Sequence, residues 1–123
     1  MQRRPTIPKT ILIADDDEGI LDATSAILEF EGYHVQSTLD GASVLRWEGA
    51  LPDLLLLDIW MSGTDGTDVC RQLKNSDETK HLPVIMISAS RDIEQYARDA
   101  GADDFLAKPY EMKDLLEKVK RWL

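Results

Sequence analysis

Asp53-Leu54-Leu55-Leu56-Leu57-Asp58-Ile59-Trp60-Met61-Ser62-Gly63-Thr64-Asp65-Gly66 is the stretch around which this chain is organised. Four consecutive leucines follow Pro52 and Asp53. An apolar run this short, bounded by Pro and later by Gly, reads as a strand buried on both faces. Asp58 ends the run. A carboxylate at the exit of a buried strand must be solvated, paired or metal-bound, because a bare charge in an apolar core is costly. Ser62, Gly63, Asp65 and Gly66 favour turns, so a loop follows. One acid thus stands on a rigid strand end beside a flexible rim. A lone Asp there also suits a simple turn cap, so the other strand ends decide its meaning.

The strands on either side follow the same pattern. Ile11-Leu12-Ile13-Ala14 is a first apolar run, and Asp15, Asp16, Asp17 and Glu18 come directly after it. Ile20, Ala23, Thr24, Ile27 and Leu28 then repeat at helical spacing, with Gly32 as the stop. Tyr33–Ser37 is a short second strand. Asp40 is placed to cap a second helix carrying Ala42, Val44 and Leu45 and ending near Gly49. Beyond the Leu54–Leu57 strand, a third helix begins near Gly66 or Thr67 and stops near Asn75. Pro83 introduces a fourth strand, Val84–Ile87. Ser88-Ala89-Ser90 leads to a helix with Ile93, Tyr96, Ala97 and Ala100 on one face and Gly101 at its end. Asp104–Ala107 is a fifth strand, and Met112, Leu115, Leu116 and Val119 mark a fifth helix. Five strand-then-helix units imply an α/β fold, a doubly wound parallel sheet with helices on both faces. Ligands of such sheets bind beyond the carboxyl ends of the strands.

Composition narrows the function classes. The 123 residues suit one compact domain, with Met1–Pro8 as a loose lead-in and 9–123 as the folded unit. A net charge of −9 disfavours direct contact between this domain and nucleic acid or anionic membrane. Cys70 is the only cysteine, which excludes an internal disulfide and fits a reducing compartment. No apolar stretch approaches ~18 residues, and no signal-peptide pattern follows Met1, so a cytoplasmic location is expected.

The chemistry lies at the strand ends. Asp15 and Asp16 follow the first strand, Asp58 the third, Ser88 the fourth and Lys108 the fifth. Carboxylates converging on one edge repel unless a cation sits among them. Oxygen donors in an open site suit Mg²⁺ or Mn²⁺. A hydroxyl and an ammonium beside that cation imply a further anion, and a phosphoryl group has the three oxygens to share among them. Asp58, after the middle strand, is the expected nucleophile. Asp17 reads better as a helix cap than as a ligand. Cys70, His34 and His81 have no clustered partners and read as structural or surface residues.

These residues resemble the receiver domain of two-component response regulators. The likeness covers Lys9 to Leu123. It is carried by Asp15-Asp16, Asp58 with Gly66 eight residues on, Ser88-Ala89, and Lys108-Pro109. It implies the flavodoxin-like order 2-1-3-4-5, with five helices. It implies Asp58 as phosphoacceptor, and a cation held by Asp16 and Asp58, by Asp15 largely through water, and by the Trp60 carbonyl. Lys108 would pair with Asp58 or Asp15 at rest and with phosphoryl oxygens when loaded. Ser88 would move to bond a phosphoryl oxygen, and Phe105 would be the aromatic that turns with it. The Lys108–Pro109 bond is expected to be cis. The implied partners are a sensor histidine kinase or a histidine phosphotransfer protein, and a downstream protein read by the fourth helix, fifth strand and fifth helix. The chain departs from the family where Ser62, followed by Gly63, stands in place of the usual Pro four residues after Asp58, which frees the loop.

Three other functions compete. A Mg²⁺-dependent aspartyl phosphatase would need a second acid at Trp60. A phosphate-independent interaction module of this fold would not need the intact set Asp15, Asp16, Asp58, Ser88 and Lys108. A flavin protein would need a phosphate cradle where Asp15, Asp16 and Asp17 stand. Trp60 itself is expected near the mouth of the site, opposite Ser90. There its indole would either keep water from an acyl phosphate or pack against the loop or a partner.

Overall fold

The computed structural model describes residues 8–61 and 63–123. The lead-in, apart from exposed Pro8, and the loop residue Ser62 lie outside the described residues. The elements run β1 (Thr10–Ala14), α1 (Glu18–Phe30), β2 (His34–Thr38), α2 (Gly41–Leu45) and β3 (Leu54–Asp58). A small hairpin follows, β4 (Trp60–Met61) and β5 (Thr64–Asp65). Then come α3 (Gly66–Lys74), β6 (Val84–Ser88), α4 (Ile93–Ala100), β7 (Asp104–Ala107) and α5 (Met112–Trp122).

The main sheet has the order β2-β1-β3-β6-β7, and all its pairings are parallel. Counted by sheet strands alone, this is the expected flavodoxin-like 2-1-3-4-5. Successive side chains of a strand point to opposite faces. Leu12, Ala14, Leu55, Leu57, Val84 and Met86 therefore join one core layer, packed with Val69, Cys70, Ile93 and Ala97 from α3 and α4. Ile11, Ile13, Leu54, Leu56, Ile85 and Ile87 join the other, with Leu21 and Leu28 of α1 and Leu115 and Val119 of α5. Both faces of the inner strands are dry, which is why they read as unbroken apolar runs. Cys70 is fully buried, and burial pushes its thiol up to about 11, so it is inert packing.

Several expectations need correction. Asp58 is the last residue of β3 rather than the first beyond it, and Ser88 likewise ends β6. The second helix is a single short turn ending at Leu45. The loop after Asp58 contains the β4–β5 hairpin. In α1 the buried line is Leu21, Thr24 and Leu28. Ala23 is exposed, and Ile20 and Ile27 are only partly covered, because the helix is rotated about its axis relative to the face the spacing suggests.

Capping follows the sequence. Asp17 accepts from the Ile20 N–H and Asp40 from the Ser43 N–H, each satisfying a first-turn donor. The C-terminal helix is tied down by Asp104. Its carboxylate accepts from Lys118 Nζ at 2.8 Å, Trp122 Nε1 at 3.0 Å and the Phe105 N–H at 2.8 Å. Burial pushes this carboxyl up, but the bonds from Lys118 and Trp122 outweigh it and leave it lowered. Asp104→Ala is expected to cost about 2 kcal/mol in urea unfolding, since it leaves the indole N–H without its acceptor. A carboxyl with a lowered folded-state pKa contributes fully above its unfolded value, and that contribution is lost as pH falls through the lowered one. The gap between parent and variant should therefore close in acid.

Candidate functional site

The carboxyl ends of β1, β3, β6 and β7 meet at one edge of the sheet. Asp15 and Asp58 are buried and Asp16 is exposed. Their carboxylate oxygens lie within 4.8 Å of one another. Three carboxylates at that separation form an oxygen-only donor set open to solvent on the Asp16 side, which fits a small hard cation.

Lys108 reaches into this cluster from the end of β7. Its Nζ donates to Asp15 Oδ2 at 2.8 Å and to Asp58 Oδ2 at 3.0 Å. Burial lowers the ammonium pKa, but the hydrogen bonds to Asp15 and Asp58 outweigh this and hold it raised, so Lys108 stays charged. Asp58 is pushed the other way. Burial raises its carboxyl, Lys108 pulls it back, and Asp15 raises it further; the outcome is a raised pKa. Burial is the largest cause, and the single ammonium of Lys108, shared between two acids, does not offset it.

The backbone completes the frame. The Trp60 N–H donates to Asp58 Oδ1 at 3.2 Å, and the Ile59 N–H to the Ile87 carbonyl at 3.0 Å. Gly66 donates its N–H to the Ile59 carbonyl at 2.6 Å. A Cβ on Gly66 would strike the Asp58 carbonyl oxygen, so only glycine lets α3 begin this close to the acid. The spacing between Asp58 and Gly66 is thereby explained. Ser88 is 1% exposed, and its hydroxyl accepts from the Ser90 N–H at 3.0 Å. The Lys108 N–H donates to the Ser88 carbonyl at 2.9 Å, which ties the two strand ends together. The Lys108–Pro109 bond is cis, as expected.

Two aromatic placements could not be read from the chain. Trp60 is 55% exposed, and its ring meets Tyr96 of α4 edge-on, with centroids 6.1 Å apart at 85°. The indole thus lies against α4. Phe105 is half-buried, with Lys118 Nζ 5.2 Å from its ring centroid. The expectations had no place for Tyr110, whose hydroxyl lies 2.7 Å from that of Thr24. The one sequence signal was a hydroxyl, Thr24, on an otherwise apolar helix line. Ile20, Ala23 and Ile27 of α1 face Ala89, Lys108, Pro109, Tyr110 and Met112 across an apolar groove of about 410 Å³.

The comparisons with known proteins agree with this geometry. The family model described as the response regulator receiver domain matches residues 11–120. The chain is 39% identical over 116 residues to the "DNA-binding dual master transcriptional regulator RpaA" of Synechocystis, covering 92% of this chain and 48% of that protein. It is 36% identical over 120 residues to the "Phosphate regulon transcriptional regulatory protein PhoB" of Rhizobium meliloti, covering 95% of this chain and 52% of that one. The chain thus spans about half the length of these regulators. Among solved structures, a CheY-like response regulator receiver domain protein from Methanospirillum hungatei superposes with a TM-score of 0.83 at 35% identity, covering 94% of this chain and 93% of that one. The chemotaxis response regulator CheY4 of Vibrio cholerae superposes with a TM-score of 0.86 at 25% identity, covering 95% and 100%. No described helix is long and apolar enough to cross a membrane. With the sheet order, the acidic edge and the matched family model in agreement, this chain belongs to the receiver-domain family of two-component response regulators.

Proposed function

We propose that this domain is a phosphorylation switch that accepts a phosphoryl group from a phosphohistidine onto Asp58. The observation that carries the reading is the double pairing of Lys108 with Asp15 and Asp58 at the open end of the sheet. Asp15, Asp16, Asp58 and the Trp60 carbonyl would hold Mg²⁺ or Mn²⁺. Bound there, the cation would supply positive charge for the phosphoryl oxygens. A carboxylate oxygen of Asp58 forms the new P–O bond as the P–N bond of the phosphohistidine breaks, and the imidazole leaves with its electron pair. Lys108 turns from the carboxylates to a phosphoryl oxygen. Ser88 gives up the Ser90 N–H and donates its hydroxyl to another. Its movement would change the space beside Phe105 and so bias the surface of α4, β7 and α5 toward a downstream protein. The domain is a signalling acceptor rather than an enzyme with turnover; it loses the phosphoryl slowly to water. RpaA is named as DNA-binding, and this chain covers only half of it. The unfavourable charge for nucleic acid therefore concerns this domain alone.

The test is intact mass after incubation with a small phosphodonor and Mg²⁺. A gain of one phosphoryl, absent in Asp58→Asn, is expected. No gain, or a gain that survives the substitution, would overturn the assignment.

The groove along α1 suits the protein donor. It is apolar and has Lys108 at its rim, so a helix seated in it would carry a phosphohistidine beside Asp58. Ile20→Asp is expected to lower transfer from a phosphohistidine protein about tenfold relative to transfer from a small phosphodonor. Equal effects on both donors would place the docking elsewhere.

A further inference from the structure

Thr24 is 3% exposed, on the buried line of α1. A buried hydroxyl needs a partner. Its own helix can offer one, the carbonyl a turn earlier. The structure instead pairs it with the Tyr110 hydroxyl at 2.7 Å, across 86 residues of chain. Tyr110 lies two residues beyond Lys108. The bond from the Lys108 N–H to Ser88 fixes the strand end. The turn that follows, Pro109–Tyr110, reaches α1 through this hydroxyl pair.

We propose that Thr24 and Tyr110 are a positioning pair: their hydrogen bond holds the turn after β7 so that Lys108 Nζ stays on Asp15 and Asp58. The consequence for phosphoryl transfer rests on the function proposed above; the consequence for cation binding does not. Lys108 occupies one oxygen each of Asp15 and Asp58, two of the three carboxylates that converge as a cation site. A well-held ammonium competes with a divalent cation for those oxygens. Cutting the pair frees the turn, so Lys108 spends less time on the carboxylates. Mg²⁺ then binds more tightly. Lys108 also reaches incoming phosphoryl oxygens less often, so transfer slows. General loosening of the fold would instead weaken both.

The experiment uses the full chain with Thr24→Val, Tyr110→Phe, the double variant and Thr24→Ser. Mg²⁺ binding alone is followed by NMR, and phosphoryl gain from a small phosphodonor by mass. Each of Thr24→Val and Tyr110→Phe is expected to tighten Mg²⁺ binding and slow phosphoryl gain by about threefold, the scale of one hydrogen bond. The double variant should equal either single one, because both remove the same bond. Thr24→Ser keeps the hydroxyl and should match the parent. Unchanged or weaker Mg²⁺ binding in the single variants, additive effects in the double one, or no Mg²⁺ binding by the parent would overturn the proposal. A parent that binds Mg²⁺ but gains no phosphoryl would overturn the phosphoryl reading, and the Mg²⁺ arm would still decide the pair.

Discussion

Lys108→Met should lose about 3 kcal/mol of stability in metal-free buffer, and Mg²⁺ should restore much of it. The side chains of Asp15 and Asp58 are 3% and 8% exposed, and Lys108 is paired with both. Removing one partner of a buried ion pair costs more than the pair is worth, because the remaining charge loses its compensation. Here two carboxylates are left facing one another. A cation bound only by the folded chain stabilises it by mass action, and the cluster offers it a site. The variant should also gain phosphoryl about a hundredfold more slowly, since a positioned cation on the phosphoryl oxygens is lost. Urea unfolding with and without Mg²⁺, and mass against time, measure these effects. A variant as stable as the parent without metal would show that the ion pairs contribute nothing.

Asp58→Asn should act in the opposite direction on stability while abolishing phosphoryl gain. The Asp58 carboxyl is raised by burial, with Asp15 raising it further against the pull of Lys108. A folded-state pKa above the unfolded one means that ionisation opposes folding. The parent should therefore lose stability as pH rises from the ordinary carboxylate value, about 3.9, through the raised one. The Asn variant lacks that loss and retains the Lys108–Asp15 pair with balanced charge. At neutral pH it should be more stable by on the order of 1 kcal/mol, after allowance for screening of the repulsion. Below the ordinary carboxylate range the two proteins should converge. Thermal unfolding across pH reads the effect, and a variant less stable than the parent at neutral pH would refute the charge argument.

Much of the site is legible in the sequence because parallel sheets bring the carboxyl ends of their strands to one edge. Once Ile11–Ala14, Leu54–Leu57, Val84–Ile87 and Asp104–Ala107 are read as strands, Asp15, Asp58, Ser88 and Lys108 must converge. The structure places all four at that edge. The caps Asp17 and Asp40 are equally local, since each serves an N–H three residues on. The need for Gly66 is visible as a spacing, but its cause is the Asp58 carbonyl oxygen, which only the folded chain brings against it.

The sequence by itself determined the order of the five main strands and five helices, the two core layers, the sheet order through the family likeness, and the acidic edge. The elements, the two layers and the acidic edge follow from periodicity and chain connection, which are properties of neighbouring residues; the sheet order rests on the likeness of the motifs alone. The tertiary structure decided which side of α1 is covered, burying Leu21 rather than Ile20. It also decided that the indole of Trp60 meets Tyr96, that the hydroxyl of Ser88 accepts from Ser90, and that Thr24 pairs with Tyr110. Helical spacing defines an apolar stripe but not which edge of it is covered, because that depends on what packs against the helix. The partner of a side chain is likewise set by groups distant in sequence, and only the packed fold brings those groups within reach.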